Sequence, residues 1–365
     1  MISWSNTDEY LCGKTQKFVF KNKIASFDLD GTITVTKSKK RFPISEDDWE
    51  FFSTSVPAKM KELLKQGFCI IIISNQGGLK SQDKKTEWIT KLNNIQKTLN
   101  IELMVFCSVK NNQYRKPLPC FFTDFFPRSI IEKINKDSFY CGDACGRKGD
   151  HSDTDYKFAK NCKIPFKTPE ILFLNDKFNL PQIKYPNVAK ACDANNEFEF
   201  EPSIKPEMII MVGYPASGKS SISHILNQTY SYEIISQDSL KTKPKCIKYA
   251  TELIKNKKSL VIDNTNPDKQ TRKEWIDLAT SYNYTVRLIL LDVTKEIAQH
   301  NNIYRYLTTG KYISSIVYNI YKSKYDEPSC DEGIKKIITV NNVNTVNTVN
   351  TVNNFFGDMY LMYLY

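Results

Sequence analysis

Histidine is nearly missing from this 365-residue chain: His151, His224 and His300 are all it has. A histidine-rich metal site is therefore not expected, and the metal to expect is a hard cation held by carboxylates. No apolar run approaches the roughly 18 to 20 residues that cross a bilayer. The longest, Cys69–Ile73 and Met208–Val212, have the length of strands, so no membrane partner is expected. The opening segment Met1–Glu9 lacks the basic and then apolar pattern of a secretory signal, which points to an intracellular chain. Ten cysteines are too thinly spread for a disulfide scaffold, and free thiols are expected. Acidic excess is also absent. Lys plus Arg number 51 against 40 Asp plus Glu, a net charge of +11, and 41% hydrophobic residues exclude a disordered polar chain. The length suggests two domains of about 150 residues each.

What is present alternates. From Phe18 to about Lys184, apolar runs take turns with helix-period segments, the pattern of a parallel sheet covered by helices. Lys23–Asp28 reads as a first strand. Val56, Met60, Leu63 and Leu64 form one helical stripe ahead of the strand Phe68–Ile73. Trp88, Ile89, Leu92, Ile95 and Leu99 form another ahead of Ile101–Cys107. Pro186, Asp193–Asn196, Pro202 and Pro206 break the pattern, so a linker is placed at residues 186–206. Alternation restarts with strands at Met208–Val212, Tyr232–Ser236, Ser259–Asp263 and Thr285–Leu291. The fold class expected is α/β, two doubly wound parallel-sheet domains. They cover residues 18–185 and 207–340, behind an N-terminal extension of residues 1–17. The Asn/Thr/Val repeat that opens residues 341–365 is too polar to build a core, and that segment is expected to be a disordered tail.

The loop Ser26-Phe27-Asp28-Leu29-Asp30-Gly31-Thr32 sets two carboxylates two residues apart at the exit of a strand, where parallel sheets hold ligands. Such a pair suits phosphoryl transfer. Asp28 is placed to attack phosphorus and form an aspartyl-phosphate, and Asp30 to protonate the departing hydroxyl and later activate water. The chemistry also needs phosphoryl-binding groups, a cation and a further metal ligand. Ser74, Asn75 and Gln76 cap the strand Phe68–Ile73, Lys116 lies in Tyr-Arg-Lys-Pro, and Asp143 follows the strand Ser138–Cys141. Asp155 is a weaker candidate. Cys141, Cys145 and His151 allow a zinc reading, against which Asp143 already has a role between the cysteines and no second pair follows.

Asp-Gly-Thr-Ile-Thr with a basic loop behind it, Ser-Asn-Gln-Gly, Tyr-Arg-Lys-Pro and Gly-Asp-Ala-Cys-Gly-Arg together resemble the haloacid dehalogenase superfamily, specifically its DNA 3′-phosphatase branch. The resemblance implies that Asp28 is the nucleophile and Asp30 the general acid and base. It implies Mg²⁺ held by Asp28, Asp143 and the Asp30 carbonyl, and a phosphoryl group bound by Ser74 and Lys116.

In the second half, a strand runs into Gly213-Tyr214-Pro215-Ala216-Ser217-Gly218-Lys219-Ser220, which fits G-x-x-x-x-G-K-[ST] with a helix behind it. Backbone N–H groups of such a loop wrap ATP phosphates, Lys219 reaches the outer ones and Ser220 binds Mg²⁺. Asp238 follows the next strand as a base for an attacking hydroxyl, Asp263 ends the third, and Arg305 is placed to clamp the transferring group. Asp-Asn-Thr-Asn-Pro and His-Asn-Asn are similar to the kinase half of the bifunctional polynucleotide phosphatase/kinase family, which has the same order of domains. The likeness spans roughly residues 18–335. Gln237 and Ile303 stand where relatives usually carry Arg, and Lys241–Lys245 lacks the usual Trp-Gln-Arg character. Only 17 residues precede the first domain, so partners recruited through a forkhead-associated module are not expected.

The function expected is end healing: removal of a 3′-phosphate and transfer of the ATP γ-phosphate to a 5′-hydroxyl, preparing strand breaks for ligation. Nucleic-acid ends are the expected partner, DNA ahead of RNA, and the resemblance implies a nuclear address. The positive charge suits a polyanion, with Lys37, Lys39, Lys40 and Arg41 near the first site and Lys241, Lys243 and Lys245 near the second. The alternatives are a small-molecule phosphatase fused to a nucleoside or sugar kinase, and a non-catalytic scaffold that binds nucleic-acid ends.

Overall fold

A computed structural model describes residues 1–177, 180–181, 185, 188, 200–341, 353–354 and 357–364. The chain divides into two compact units, one of Met1–Tyr185 with Asn353–Tyr365 and one of Pro186–Val352. Both are α/β.

The first unit is built on β3 (Ile24–Phe27), β6 (Cys69–Asn75), β7 (Met104–Ser108), β8 (Phe139–Cys141) and β9 (Phe166–Lys167), which run parallel. A short antiparallel ladder, β4 (Thr34–Val35) with β5 (Glu50–Phe51), lies outside the main sheet. Every residue from Cys69 to Ser74 is buried because the strand is covered on both faces. Ile70 and Ile72 meet Met60 and Leu63 of α1 (Val56–Lys65) and Leu92, Ile95 and Leu99 of α2 (Gln82–Leu99) in one core cluster. On the other side Phe106 packs against Phe121 with ring centroids 4.4 Å apart. Ser81 caps α2 by accepting from the Lys84 N–H, and Asn100 ends it in the left-handed conformation.

Both ends of the chain depart from expectation. Residues 1–17 are not a mere extension: β1 (Ile2–Asn6) and β2 (Tyr10–Thr15) form a hairpin that continues the sheet antiparallel from β7. The strand order is β1-β2-β7-β6-β3-β8-β9. Gly13 is required there, since a Cβ would lie 2.6 Å from Ile2 and 2.7 Å from the Trp4 ring. Residues 341–365 are not wholly a loose tail either. The repeat at 342–352 lies outside the described residues, but Met359, Tyr360, Met362 and Leu364 are buried. The Asn161 amide donates to the Tyr363 carbonyl at 2.9 Å and its oxygen accepts from the Tyr363 N–H at 3.0 Å. The apolar Met-Tyr-Leu-Met-Tyr-Leu end supplies this burial.

The second unit is a parallel five-stranded sheet of β10 (Glu207–Val212), β11 (Glu233–Ile235), β12 (Leu260–Ile262), β13 (Thr285–Leu291) and β14 (Lys336–Val340), in the order β11-β12-β10-β13-β14. Helices Lys219–Tyr230, Lys243–Lys255, Lys269–Ser281, Lys295–Thr309 and Ser315–Lys324 join them. Much of the linker expected at 186–206 lies outside the described residues, but Phe200 is buried against Tyr230 and Tyr232.

Glu207 begins β10 fully enclosed. It accepts from the Tyr232 hydroxyl and from both Nε (2.8 Å) and Nη2 of Arg287, whose remaining nitrogen reaches the Glu201 carbonyl at 3.1 Å. Breaking such a buried pair leaves a charge uncompensated and costs about 3 kcal/mol. Glu207→Ala is therefore expected to lower the stability of the second unit by about that amount in a urea titration, and a loss under about 1 kcal/mol contradicts this.

Candidate active sites

The first site stands where β3 and β8 end. Asp28 leaves β3 with its backbone N–H donating to the Cys141 carbonyl of β8, which ties the two exits together. Gly31 has φ +87°, and a Cβ on it would lie 2.6 Å from the Asp143 carboxylate, so only glycine fits both the turn and the approach. A Cβ on Gly142 would likewise lie 2.4 Å from Asp155 Oδ2.

Lys116 Nζ is the hub. It donates to Asp28 Oδ1 at 2.6 Å, to Asp155 Oδ1 at 2.7 Å and to the Tyr140 hydroxyl at 2.7 Å, with 5% of its surface exposed. Its backbone is fixed by Asn75, which accepts from the Lys116 N–H and donates to its carbonyl, both at 3.0 Å. Burial alone would lower the Lys116 ammonium, but Asp155 and Asp28 outweigh it and push it up to about 12. Asp28 is raised well above the usual carboxylate range by burial, with Lys116 pulling it back. Asp143 rises to about 6 by burial and the neighbouring Asp155.

Asp30 is held apart from this cluster. Lys91 Nζ donates to its Oδ1 and Gln76 Nε2 to its Oδ2, each at 2.6 Å, and Gln76 also reaches the Ser74 hydroxyl at 2.9 Å. Asp28, Asp143 and Asp155 bring ligand oxygens within 4.8 Å of one another. Burial pushes Asp28 and Asp143 towards protonation, a cost that a divalent cation relieves, and an all-oxygen donor set suits a hard ion. Among the described residues neither cysteine nor histidine joins a metal-holding group, which removes the zinc reading of Cys141, Cys145 and His151. Asp155, the weaker candidate from sequence, belongs to the centre. The Asp30 carboxylate does not, its oxygens being turned to Lys91 and Gln76. The cleft over these groups holds about 570 Å³, and Lys40, Arg41 and Arg115 are on its wall. Lys37 instead bonds the Asp47 carbonyl.

Two participants were not named from sequence. Lys91 sits in the apolar stripe of α2, three residues after Trp88 and four before Ile95, and a charge at a core position is a signal that it has a buried partner. Tyr140 gave no signal, since a tyrosine in a buried strand reads as core.

The second site is the turn from β10 into helix Lys219–Tyr230. Gly213 has φ +155° and would place a Cβ 2.8 Å from both Leu291 and Ser217, while Gly218 caps the helix at φ +106°. The loop residues Tyr214, Pro215, Ala216 and Ser217 arch between them, with Ala216 itself at φ +57° and its carbonyl accepting from Asn301 at 3.0 Å. Lys219 is buried and donates to the carbonyls of Gly213 (2.9 Å) and Tyr214 (2.6 Å). Burial lowers it to about 8, with Asp263 drawing it back up and Arg305 adding to the fall. Burial raises Asp263, against a hydrogen bond from Ser220. Asp238 is exposed on a short turn capped by Ser236, within electrostatic reach of Lys219. Arg305 bonds Asn302 at 3.0 Å through Nη2, and its buried Nε has no hydrogen-bond partner among the described residues. The Ser217 hydroxyl is likewise buried and unpartnered. Unsatisfied donors around a helix N-terminus fit an anion. Lys243 pairs with Glu274 at 2.7 Å and Lys241 with the Asp238 carbonyl, so neither is a free surface cation.

Comparison with known proteins matches residues 23–173 to the family Polynucleotide kinase 3 phosphatase and residues 244–328 to an AAA domain family. The chain is 37% identical over 344 residues to the bifunctional polynucleotide phosphatase/kinase of Schizosaccharomyces pombe, covering 92% of this chain and 84% of that one. It is 28% identical to the polynucleotide 3′-phosphatase of Saccharomyces cerevisiae over 41% of this chain and 87% of that one. Among solved structures it is similar to the D,D-heptose 1,7-bisphosphate phosphatase of B. bronchiseptica, at 16% identity and TM-score 0.31, over 44% of this chain and 89% of that one. No described helix is long and apolar enough to cross a membrane.

Cation binding at the first site must displace the proton that Asp143 holds below about pH 6. In nucleotide-free protein, calorimetric affinity for Mg²⁺ is expected to fall as pH drops through about 6, with proton release on binding, and Asp143→Asn is expected to abolish that site. Affinity that is flat across this range contradicts the assignment.

Proposed function

The chain belongs to the bifunctional polynucleotide phosphatase/kinase family, and from that premise we propose that it heals nucleic-acid ends at two independent centres. At the first, a carboxylate oxygen of Asp28 attacks the phosphorus of a 3′-phosphate, and the bond from phosphorus to the 3′-oxygen breaks. Asp30, fixed by Lys91 and Gln76, gives its proton to the departing oxygen. The same carboxylate then takes a proton from water, which attacks the aspartyl-phosphate and releases inorganic phosphate. Lys116 and the Ser74 hydroxyl hold the phosphoryl oxygens throughout. Asp28, Asp143 and Asp155, together with the Asp30 carbonyl, would hold Mg²⁺, which would supply charge neutralisation for those oxygens.

At the second centre the loop Gly213–Ser220 wraps the ATP phosphates. Lys219 exchanges its two carbonyl partners for phosphate oxygens, whose negative charge favours the ammonium that burial disfavours. Ser220 and Asp263 would hold the Mg²⁺ that accompanies the nucleotide. Asp238 accepts the proton of the attacking 5′-hydroxyl, and Arg305 turns its unpartnered Nε to the transferring group. DNA ends are favoured over RNA ends as substrate, with Lys40, Arg41 and Arg115 receiving the strand at the first cleft. Healed ends of this kind are what ligation requires.

The observation that carries this reading is the enclosure of Lys116 between Asp28 and Asp155 at the cleft of a unit that does not contain the phosphate loop. Asp28→Ala is expected to reduce 3′-dephosphorylation of an oligonucleotide by about 10⁴-fold and leave 5′-phosphorylation intact. Lys219→Ala is expected to reduce 5′-phosphorylation by about 10²-fold or more and leave dephosphorylation intact. Loss of both activities in either variant contradicts independent centres. Matched DNA and RNA oligonucleotides in the same assay test the substrate preference.

A further inference from the structure

The first unit has another hollow, of about 500 Å³, that shares no lining residue with the aspartate cleft. It opens between α1, helix Pro169–Leu174 and the starts of β3 and β8. Four lysines from separate segments line it, Lys23, Lys59, Lys136 and Lys167, against one carboxylate, Asp137. Asp137 is taken by Lys23 at 3.4 Å, and Lys59 pairs with Glu62 at 3.1 Å. Lys136 and Lys167 have no carboxylate partner among the described residues, so the hollow carries uncompensated positive charge.

Its floor keeps that charge inside. Lys23 Nζ lies 4.6 Å from the centroid of the Phe68 ring and Lys167 Nζ 4.4 Å from that of Phe139, which holds both ammoniums over the rings. Burial lowers the Lys167 ammonium, and the charge of Lys59 adds to the fall.

We propose that this hollow binds a compact polyanion with adjacent phosphoryl groups, in the size range from pyrophosphate to a nucleoside triphosphate. The volume falls within the roughly 300 to 1,000 Å³ usual for small-molecule sites. Linked phosphates supply several charges within the span of neighbouring lysines, which a lone carboxylate does not. A nucleic-acid strand fits less well, because the ring faces on which bases would stack already carry cations.

Pyridoxal phosphate tests this in the full chain. Its phosphate seeks the site, its aldehyde condenses with an unprotonated lysine with loss of water, and borohydride reduces the imine to a stable adduct located by peptide mass spectrometry. Lys167 or Lys136 is expected to be labelled about tenfold faster than the exposed Lys97, and inorganic tripolyphosphate is expected to protect it. The double variant Lys59→Gln, Lys136→Gln, whose residues belong neither to the aspartate cleft nor to the phosphate loop, is expected to weaken protection of Lys167 about tenfold while protection of Lys219 is unchanged. Labelling no faster than at Lys97 overturns the proposal. So does protection that survives the double variant, or protection by duplex DNA and not by tripolyphosphate.

Discussion

One ammonium among three oxygens governs the first unit. Lys116 is enclosed with Asp28, Asp155 and the Tyr140 hydroxyl, and its charge draws Asp28 part of the way back from the protonation that burial favours. Three strands and a helix contribute to that meeting. Asp28 comes from the exit of β3, Tyr140 from β8, Asp155 from helix Thr154–Asn161, and Asn75 at the end of β6 fixes the lysine's backbone. As the proposed phosphoryl site, this place is already polarised, which would leave little reorganisation for the moment of reaction.

The second unit solves the same electrostatic problem differently. Its lysine rests on backbone carbonyls of its own loop, and burial lowers it to about 8. In the first unit the counter-charges are covalent parts of the fold. In the second, Asp263 and Asp238 offset the burial of the lysine only in part. Both centres lie where parallel strands end, the position at which open α/β sheets hold ligands.

How much of this can be read from residues alone depends on whether burial leaves a trace in the pattern. The continuous run Cys69–Ile73 and the period of Trp88, Leu92, Ile95 and Leu99 mark their elements directly, and Asp-x-Asp and the Gly213–Ser220 motif mark the chemistry. The hairpin Ile2–Thr15 leaves no such trace. It is an edge with one buried side, and Ile-Ser-Trp-Ser-Asn followed by Tyr-Leu-Cys-Gly-Lys-Thr alternates too briefly to stand out. Met359–Leu364 is hidden by the polar repeat before it. Asp155 is ambiguous in sequence because its role depends on Gly142, which lets its carboxylate approach β8 from a helix twelve residues beyond Asp143. Asp30 was placed correctly in the loop, but its hold on Lys91 crosses 61 residues and has no local signature.

The account rests on Asp28 becoming the phosphoryl carrier. Borohydride added during turnover of a 3′-phosphorylated oligonucleotide reduces an aspartyl-phosphate, expelling phosphate and leaving homoserine. Peptide mass spectrometry is predicted to find homoserine at position 28 only, and only when substrate is present. Homoserine at position 30, or unmodified Asp28 under steady turnover, contradicts the account.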